Sequence, residues 1–296
     1  MRVSGNPAGH PVVYLHGTPG SRVGPFPRGR VLYELGVRLI SFDRPGYGGS
    51  DRQPGRRVAD VARDVESIAD ELGLDKFAVV GRSGGGPHAL ACAALLPGRV
   101  TRAGALVSLA PREADGLDWF AGMAESNVRE YTVAALDPEL LIAMLAPVAD
   151  KIRADPTSHV STLRLEMPEA DRRVVADTGI MRLLAKNFAE ALRGSAAGWA
   201  DDNLAFCEPW GFNLSDIQVP VLLWHGEDDV FSPAAHTRWL AGQIPGAELR
   251  MGQDAAHFGA LEVVPDVLSW LIRQNLVICL PRGSQTDKAP KLRIIP

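Results

Sequence analysis

The stretch Phe77-Ala78-Val79-Val80-Gly81-Arg82-Ser83-Gly84-Gly85, with the apolar run from Pro87 to Leu96 behind it, decides the fold. Four apolar residues cut off by a glycine read as a strand buried on both faces. The mostly apolar run that follows reads as a helix packed centrally. Between them lies G-x-S-x-G, with Ser83 at its centre. In that setting the chain turns sharply from strand into helix, with Ser83 at the apex in a strained backbone conformation. Small residues at 81 and 85 let strand and helix approach each other. The turn lifts the Ser83 hydroxyl to the carboxyl end of the sheet, above unpaired N–H groups and the positive end of the helix dipole. Three fixed residues in five are a weak signal alone; the strand before and the helix after make it specific.

Outward from this turn the pattern repeats. Val12 to Leu15 is a short apolar run followed at once by His16-Gly17. Val37 to Phe42 ends in Asp43-Arg44-Pro45-Gly46, and Ala103 to Leu109 ends in Ala110-Pro111. Val58, Val61, Val65, Ile68 and Leu72 recur at helical spacing with charged residues on the other face. Strands alternating with helices imply a mostly parallel central sheet flanked by helices. From 112 to 216 the strand pattern stops. Pro138 to Val148 and Asp177 to Leu192 read as helices, and the segment is rich in aromatics, Trp119, Phe120, Trp199 and Trp210 among them. Strands resume at Val219 to Trp224 and at Glu248 to Arg250, with helices near Ser232 to Gln243 and Pro265 to Asn275. The sequence therefore predicts one α/β core, residues 1–111 and 217–275, interrupted by a helical insertion over 112–216. Residues 276–296 contain Pro281, Gly283 and Pro290 and are expected to form a poorly ordered tail.

Composition sets outer limits. Hydrophobic residues make up 46% of the 296 and charged residues 22%, which excludes a disordered chain. The formal charge of −4 gives no basic excess for nucleic acid or an anionic membrane. Cys92, Cys207 and Cys279 are far apart and lack metal-binding spacing. The first ten residues lack the apolar stretch of a signal peptide, and no apolar run approaches the ~18 residues of a membrane span. These features point to a cytoplasmic protein with a small-molecule substrate, neither nucleic acid nor membrane as partner, and an oligomeric state the sequence does not encode.

A serine hydroxyl is a poor nucleophile until a base takes its proton, and the base needs an acid to orient it. Both are expected on loops after later strands. Gly226-Glu227-Asp228-Asp229 ends the strand that begins at Val221, and Ala255-Ala256-His257-Phe258 follows the last strand. The order Ser83, Asp229, His257 fits. His225, beside Asp228, is the alternative base. His88 and His16 read as packed or structural. Oxyanion donors are expected from the elbow and from the loop after the first clear strand: the N–H groups of Gly84 and Thr18.

Five segments together resemble the α/β-hydrolase superfamily, in its cap-bearing serine group: HGTPGS at 16–21, DRPGYGGS at 43–50, GRSGGG at 81–86, GEDDVFSP at 226–233, and His257. The resemblance runs from about Val12 to Arg273. It implies an α/β-hydrolase fold of up to eight strands, the first two antiparallel, with 112–216 as the cap. About ten residues precede Val12, so the first strand is expected to be missing or vestigial. The resemblance places the acid third after Gly226 and four before Pro233, at Asp229, leaving Asp228 to solvent or a basic partner. Haloalkane dehalogenases and epoxide hydrolases of the superfamily carry Asp at the elbow, so Ser83 argues against both. What it implies is hydrolysis of an ester, lactone or thioester through an acyl-enzyme, with no metal and no cofactor. Serine members also cleave carbon–carbon bonds and amides, or run cofactor-free peroxidation. An aminopeptidase would need carboxylates in the cap, where Glu125, Glu130, Glu166 and Glu169 are available. Arg82 invites an acidic substrate, although pairing with a nearby carboxylate is the plainer expectation. A ligand-binding protein without turnover is the alternative of another class. The cap aromatics Trp119, Phe120 and Trp210 are expected to line an apolar pocket.

Overall fold

A computed structural model describes residues 1–273; the expected tail lies outside the described residues. Among the described residues seven strands form one sheet: β1 (Arg2–Gly5), β2 (His10–Leu15), β3 (Val37–Ser41), β4 (Phe77–Arg82), β5 (Val100–Leu106), β6 (Val221–Gly226) and β7 (Glu248–Gly252). Their order is β1-β3-β2-β4-β5-β6-β7, with β1 antiparallel to β3 and every other pair parallel. The sheet thus has one strand fewer than the eight the resemblance allows. Sequence pattern missed β1, which has four residues and no buried side chain to give it a period.

Strand β2 shows how the sheet is held. Val13 and Leu15 enter one apolar cluster, Val12 and Tyr14 another, and all four are nearly inaccessible. Alternate residues of a strand point to opposite faces, so a strand covered on both sides reads as a continuous apolar run. One face packs against α2 (Val61–Glu71) and α3 (Gly85–Leu95), after the short α1 (Gly29–Glu34). The other packs against α11 (Ala260–Leu271), which follows α10 (Ala234–Gln243). In α2 the buried Val61, Val65 and Ala69 repeat at four residues, the stripe expected of a helix lying on a sheet.

Between β5 and β6 the described chain is helical: α4 (Glu125–Leu136), α5 (Pro138–Ala154), α6 (Thr157–Leu163), α7 (Glu169–Val175), α8 (Thr178–Ala191) and α9 (Ala197–Cys207). Two of these helices begin on a side-chain cap. Asp137 accepts the Leu140 N–H at 3.0 Å and Asp177 accepts the Ile180 N–H at 2.8 Å. These helices share an apolar cluster built on Leu141, Leu145, Leu184 and Phe188. It also takes in Tyr47, Phe231 and Phe258, from loops after β3, β6 and β7. The helical segment therefore lies over the carboxyl ends of the strands, where parallel α/β sheets place their ligands.

Candidate active site

Ser83 sits at φ 55°, left-handed space that a non-glycine residue rarely occupies. Its N–H donates to the Leu106 carbonyl at 2.8 Å, and its own carbonyl accepts the Gly86 N–H at 2.8 Å. The glycines around it are steric requirements. A Cβ on Gly81 would lie 1.9 Å from the Gly85 carbonyl oxygen, and one on Gly85 would lie 2.1 Å from that of Leu15. Among the described residues nothing hydrogen-bonds the Ser83 hydroxyl, which faces a cavity of about 210 Å³ beneath the helical segment.

His257 lines the same cavity. Its Nδ1 lies 2.9 Å from Asp229 Oδ2, so Nε2 is the nitrogen left for the cavity side. Asp229 Oδ1 accepts the N–H groups of Phe231 at 2.8 Å and Ser232 at 3.1 Å. Burial alone would raise the Asp229 pKa. The charge of His257, with hydrogen bonds from His225 and His257, instead holds it well below the usual carboxylate range. Asp228 next door is exposed, with its N–H on the Ala255 carbonyl at 3.0 Å. His225 is 3.1 Å from Asp229 but lies outside the cavity. Its ring is engaged by Thr237 Oγ1 and the Ser232 carbonyl, each at 2.5 Å. His88 is packed beside Asp202, and its pKa is pushed down to about 4, chiefly by burial.

Thr18 and Gly84 meet at the cavity floor: a Cβ on Gly84 would lie 2.3 Å from Thr18 Oγ1. The loop bearing Thr18 is held from behind. Arg44 donates to the carbonyls of His16 and, at 3.3 Å, of Gly17. His16 Nδ1 also reaches the Gly17 carbonyl at 2.8 Å. In a trans peptide C=O and N–H point in opposite directions, so pinning the Gly17 carbonyl aims the Thr18 N–H away from Arg44. Arg44 is itself held by Asp202 of α9 at 2.5 Å; Asp202 also binds Arg56 at 2.6 Å and the Tyr47 hydroxyl at 2.7 Å. Sequence reading missed Asp202, which lies in no motif, and gave Arg44 no task.

The expected pocket aromatics are elsewhere. Trp119 is 2% exposed, donates from Nε1 to the Ala110 carbonyl at 2.9 Å, and packs edge-on against Phe120, Tyr131 and His236. Trp210 is buried against Phe212 in the core cluster beneath the sheet. Trp119, Phe120 and Trp210 are packing residues; all three lie outside the helices, and an aromatic side chain favours burial without its identity saying what it is buried against. The cavity aromatics are Tyr131, Phe188, Trp199, Phe231 and Phe258. Of the four acids considered, Glu125 and Glu169 are exposed, while Glu130 and Glu166 line the cavity. Glu166 is held by the Ser126 N–H at 3.0 Å and the Ser126 hydroxyl. Glu130 Oε2 accepts from Trp199 Nε1 at 3.0 Å and Asn203 Nδ2 at 2.9 Å, and burial pushes its carboxyl up to about 7. Among the described residues no helix is long and apolar enough to cross a membrane, and no group of three His, Cys, Asp or Glu could hold a metal.

The family model of the alpha/beta hydrolase fold matches residues 10–262. A 2-hydroxy-6-oxononadienedioate/2-hydroxy-6-oxononatrienedioate hydrolase of Klebsiella pneumoniae subsp. pneumoniae is 30% identical, over 85% of this chain and 82% of its own. A proline iminopeptidase of Neisseria meningitidis serogroup A is 27% identical, over 84% of each chain. Among solved structures, an alpha/beta hydrolase fold protein from Nakamurella multipartita superposes with a TM-score of 0.62. It is 25% identical, over 91% of this chain and 93% of its own.

Proposed function

The chain belongs to the α/β-hydrolase fold family, and from that premise we propose that it is a serine hydrolase. Its substrate is a carboxylic ester, lactone or thioester of a small, largely apolar molecule, cleaved through an acyl-enzyme. One observation carries this reading: Ser83, held at positive φ, and His257, tied to the buried Asp229, converge on one cavity.

Ser83 Oγ attacks the carbonyl carbon while His257 Nε2 takes its proton. Asp229, kept ionised, holds the tautomer with the proton on Nδ1 and stabilises the imidazolium as it forms. The N–H groups of Thr18 and Gly84 bind the oxygen that becomes negative. His257 then gives its proton to the leaving alcohol. In the second half a water, deprotonated by His257, attacks the acyl carbon and releases Ser83. Apart from the water, every group these steps use is a side chain or amide of the chain itself. The helical segment 112–216 serves as the cap, its inner wall of Tyr131, Phe188 and Trp199 choosing the acyl group.

A fluorophosphonate probe should label the wild type and leave Ser83→Ala unlabelled. A panel of p-nitrophenyl esters of rising acyl length should show turnover only in the wild type. Equal labelling of both proteins would sink the mechanism. Labelling without turnover of any ester, lactone or amide would favour a ligand-binding protein on the same fold. A second reading, an aminopeptidase, draws support from Glu130: Oε2 takes both its hydrogen bonds, leaving Oε1 to meet a substrate amine. Faster cleavage of aminoacyl p-nitroanilides than of the matched esters, lost in Glu130→Gln, would select it.

A further inference from the structure

Arg82 immediately precedes Ser83, lines the same cavity and is only 6% exposed. Pairing with a neighbouring carboxylate does not occur: among the described residues no acid lies within salt-bridge reach of its guanidinium. Its contacts are one long hydrogen bond, from Nη2 to the His257 carbonyl at 3.4 Å, and the face of Phe258 at 5.1 Å. Its Nε is buried with no partner. Two acids act on it from farther away, beyond salt-bridge distance: Asp171, whose Oδ1 accepts the Phe258 N–H at 2.6 Å and whose Oδ2 is buried without a partner, and Asp229, which is tied to His257.

A guanidinium has five donors in a planar fork and stays charged at any pH the fold survives. Burying one without a counter-ion is costly unless something supplies the anion. Here the unsatisfied fork lies beside the nucleophile, in the wall of the substrate cavity. The helical side of the same cavity carries Glu130, Glu166 and the exposed Arg129, so the buried cation of the cavity wall is Arg82. We propose that Arg82 anchors a carboxylate carried by the substrate, so that the preferred substrates are anionic esters. Their apolar body would join the reacting carbonyl at Ser83 to a carboxylate at Arg82. This deepens the ester-hydrolase reading above and rests on it.

The experiment compares matched anionic and neutral esters. The mono-p-nitrophenyl ester of adipic acid against p-nitrophenyl hexanoate places the charge on the acyl side. 4-Acetoxybenzoate against its methyl ester places it on the leaving group. In at least one pair the wild type should favour the anionic member in kcat/KM. In Arg82→Met that ratio should fall by about tenfold or more, the size expected of a charge-assisted hydrogen bond. A purely structural Arg82, bracing His257 and Phe258, would lower both members alike and leave each ratio unchanged; unchanged ratios in both pairs overturn the proposal. A binding measurement covers an Arg82→Met that does not fold. Adipate titrated into Ser83→Ala should saturate a change in tryptophan fluorescence, weakened by salt, where 1,6-hexanediol does not. No saturation by adipate, or equal binding of the diol, overturns the proposal. Absence of ester turnover with adipate binding intact would instead overturn the ester reading and leave the carboxylate site standing.

Discussion

Two adjacent acids, Asp228 and Asp229, differ by one position and by everything around them. Asp229 is buried, held by the N–H groups of Phe231 and Ser232 and by the His257 ring with His225 beside it, whereas Asp228 faces solvent. Asp229→Asn should lower kcat by orders of magnitude, because an amide neither stabilises an imidazolium nor enforces the tautomer. Asp228→Asn should cost less than about threefold, as surface changes usually do. Reversed losses would move the acid to Asp228. Glu130 gives a second test at this scale, through its carboxyl near pH 7. A carboxyl whose folded pKa is raised favours the folded state below its unfolded value of about 4.3. That contribution is lost as pH rises through 7. The Tm of the wild type relative to Glu130→Gln should therefore fall between pH 5 and pH 8. Parallel Tm curves would show that Glu130 is already ionised in the folded protein.

At the scale of elements, the meeting of β4 and α3 depends on the absence of side chains at Gly81 and Gly85. Gly85→Ala would drive a Cβ to 2.1 Å from a backbone oxygen that cannot retreat, because β2 is paired on both sides. The loss should exceed about 3 kcal/mol, beyond ordinary overpacking, and be read as a collapse of the urea midpoint. Gly242, near the end of α10, has nothing within 4 Å of its missing Cβ and no positive φ. Gly242→Ala should stabilise by about 0.5–1 kcal/mol through helix propensity and a less flexible unfolded chain. Equal effects at the two positions would remove the steric argument for the elbow. The elbow was legible in sequence because it is a local constraint, contained within twenty residues. Strand β1 was not, because four half-exposed residues carry no periodic signal.

For the molecule as a whole, Asp202 is the tie between the helical segment and the sheet. It reaches from α9 to Arg44 and Arg56, whose side chains are 1% and 3% exposed, and so braces the loop that presents Thr18. Asp202→Asn would leave two buried cations without their anion, a loss of about 3–5 kcal/mol in denaturant unfolding. Removing an exposed pair, as in Glu34→Ala opposite Arg30, should cost less than about 1 kcal/mol. A small loss at Asp202 would mean that the two arginines find water or another acid, and that the segment is held by its apolar cluster alone.

The sequence by itself determined the alternation of strands and helices, the break at the helical insertion, and the turn on which Ser83 stands. It also placed Asp228, Asp229 and His257 on the loops after the last two strands. Each of these is written in short-range terms: a period of two or 3.6, a glycine where no Cβ fits, a polar cluster just past a strand. Tertiary structure alone decided which aromatics face the cavity and which fill the core. It alone brought Arg44 against Asp202, 158 residues away, and left Arg82 without a carboxylate. Those outcomes depend on where distant segments meet, and a side chain's identity restricts its possible partners without choosing among them.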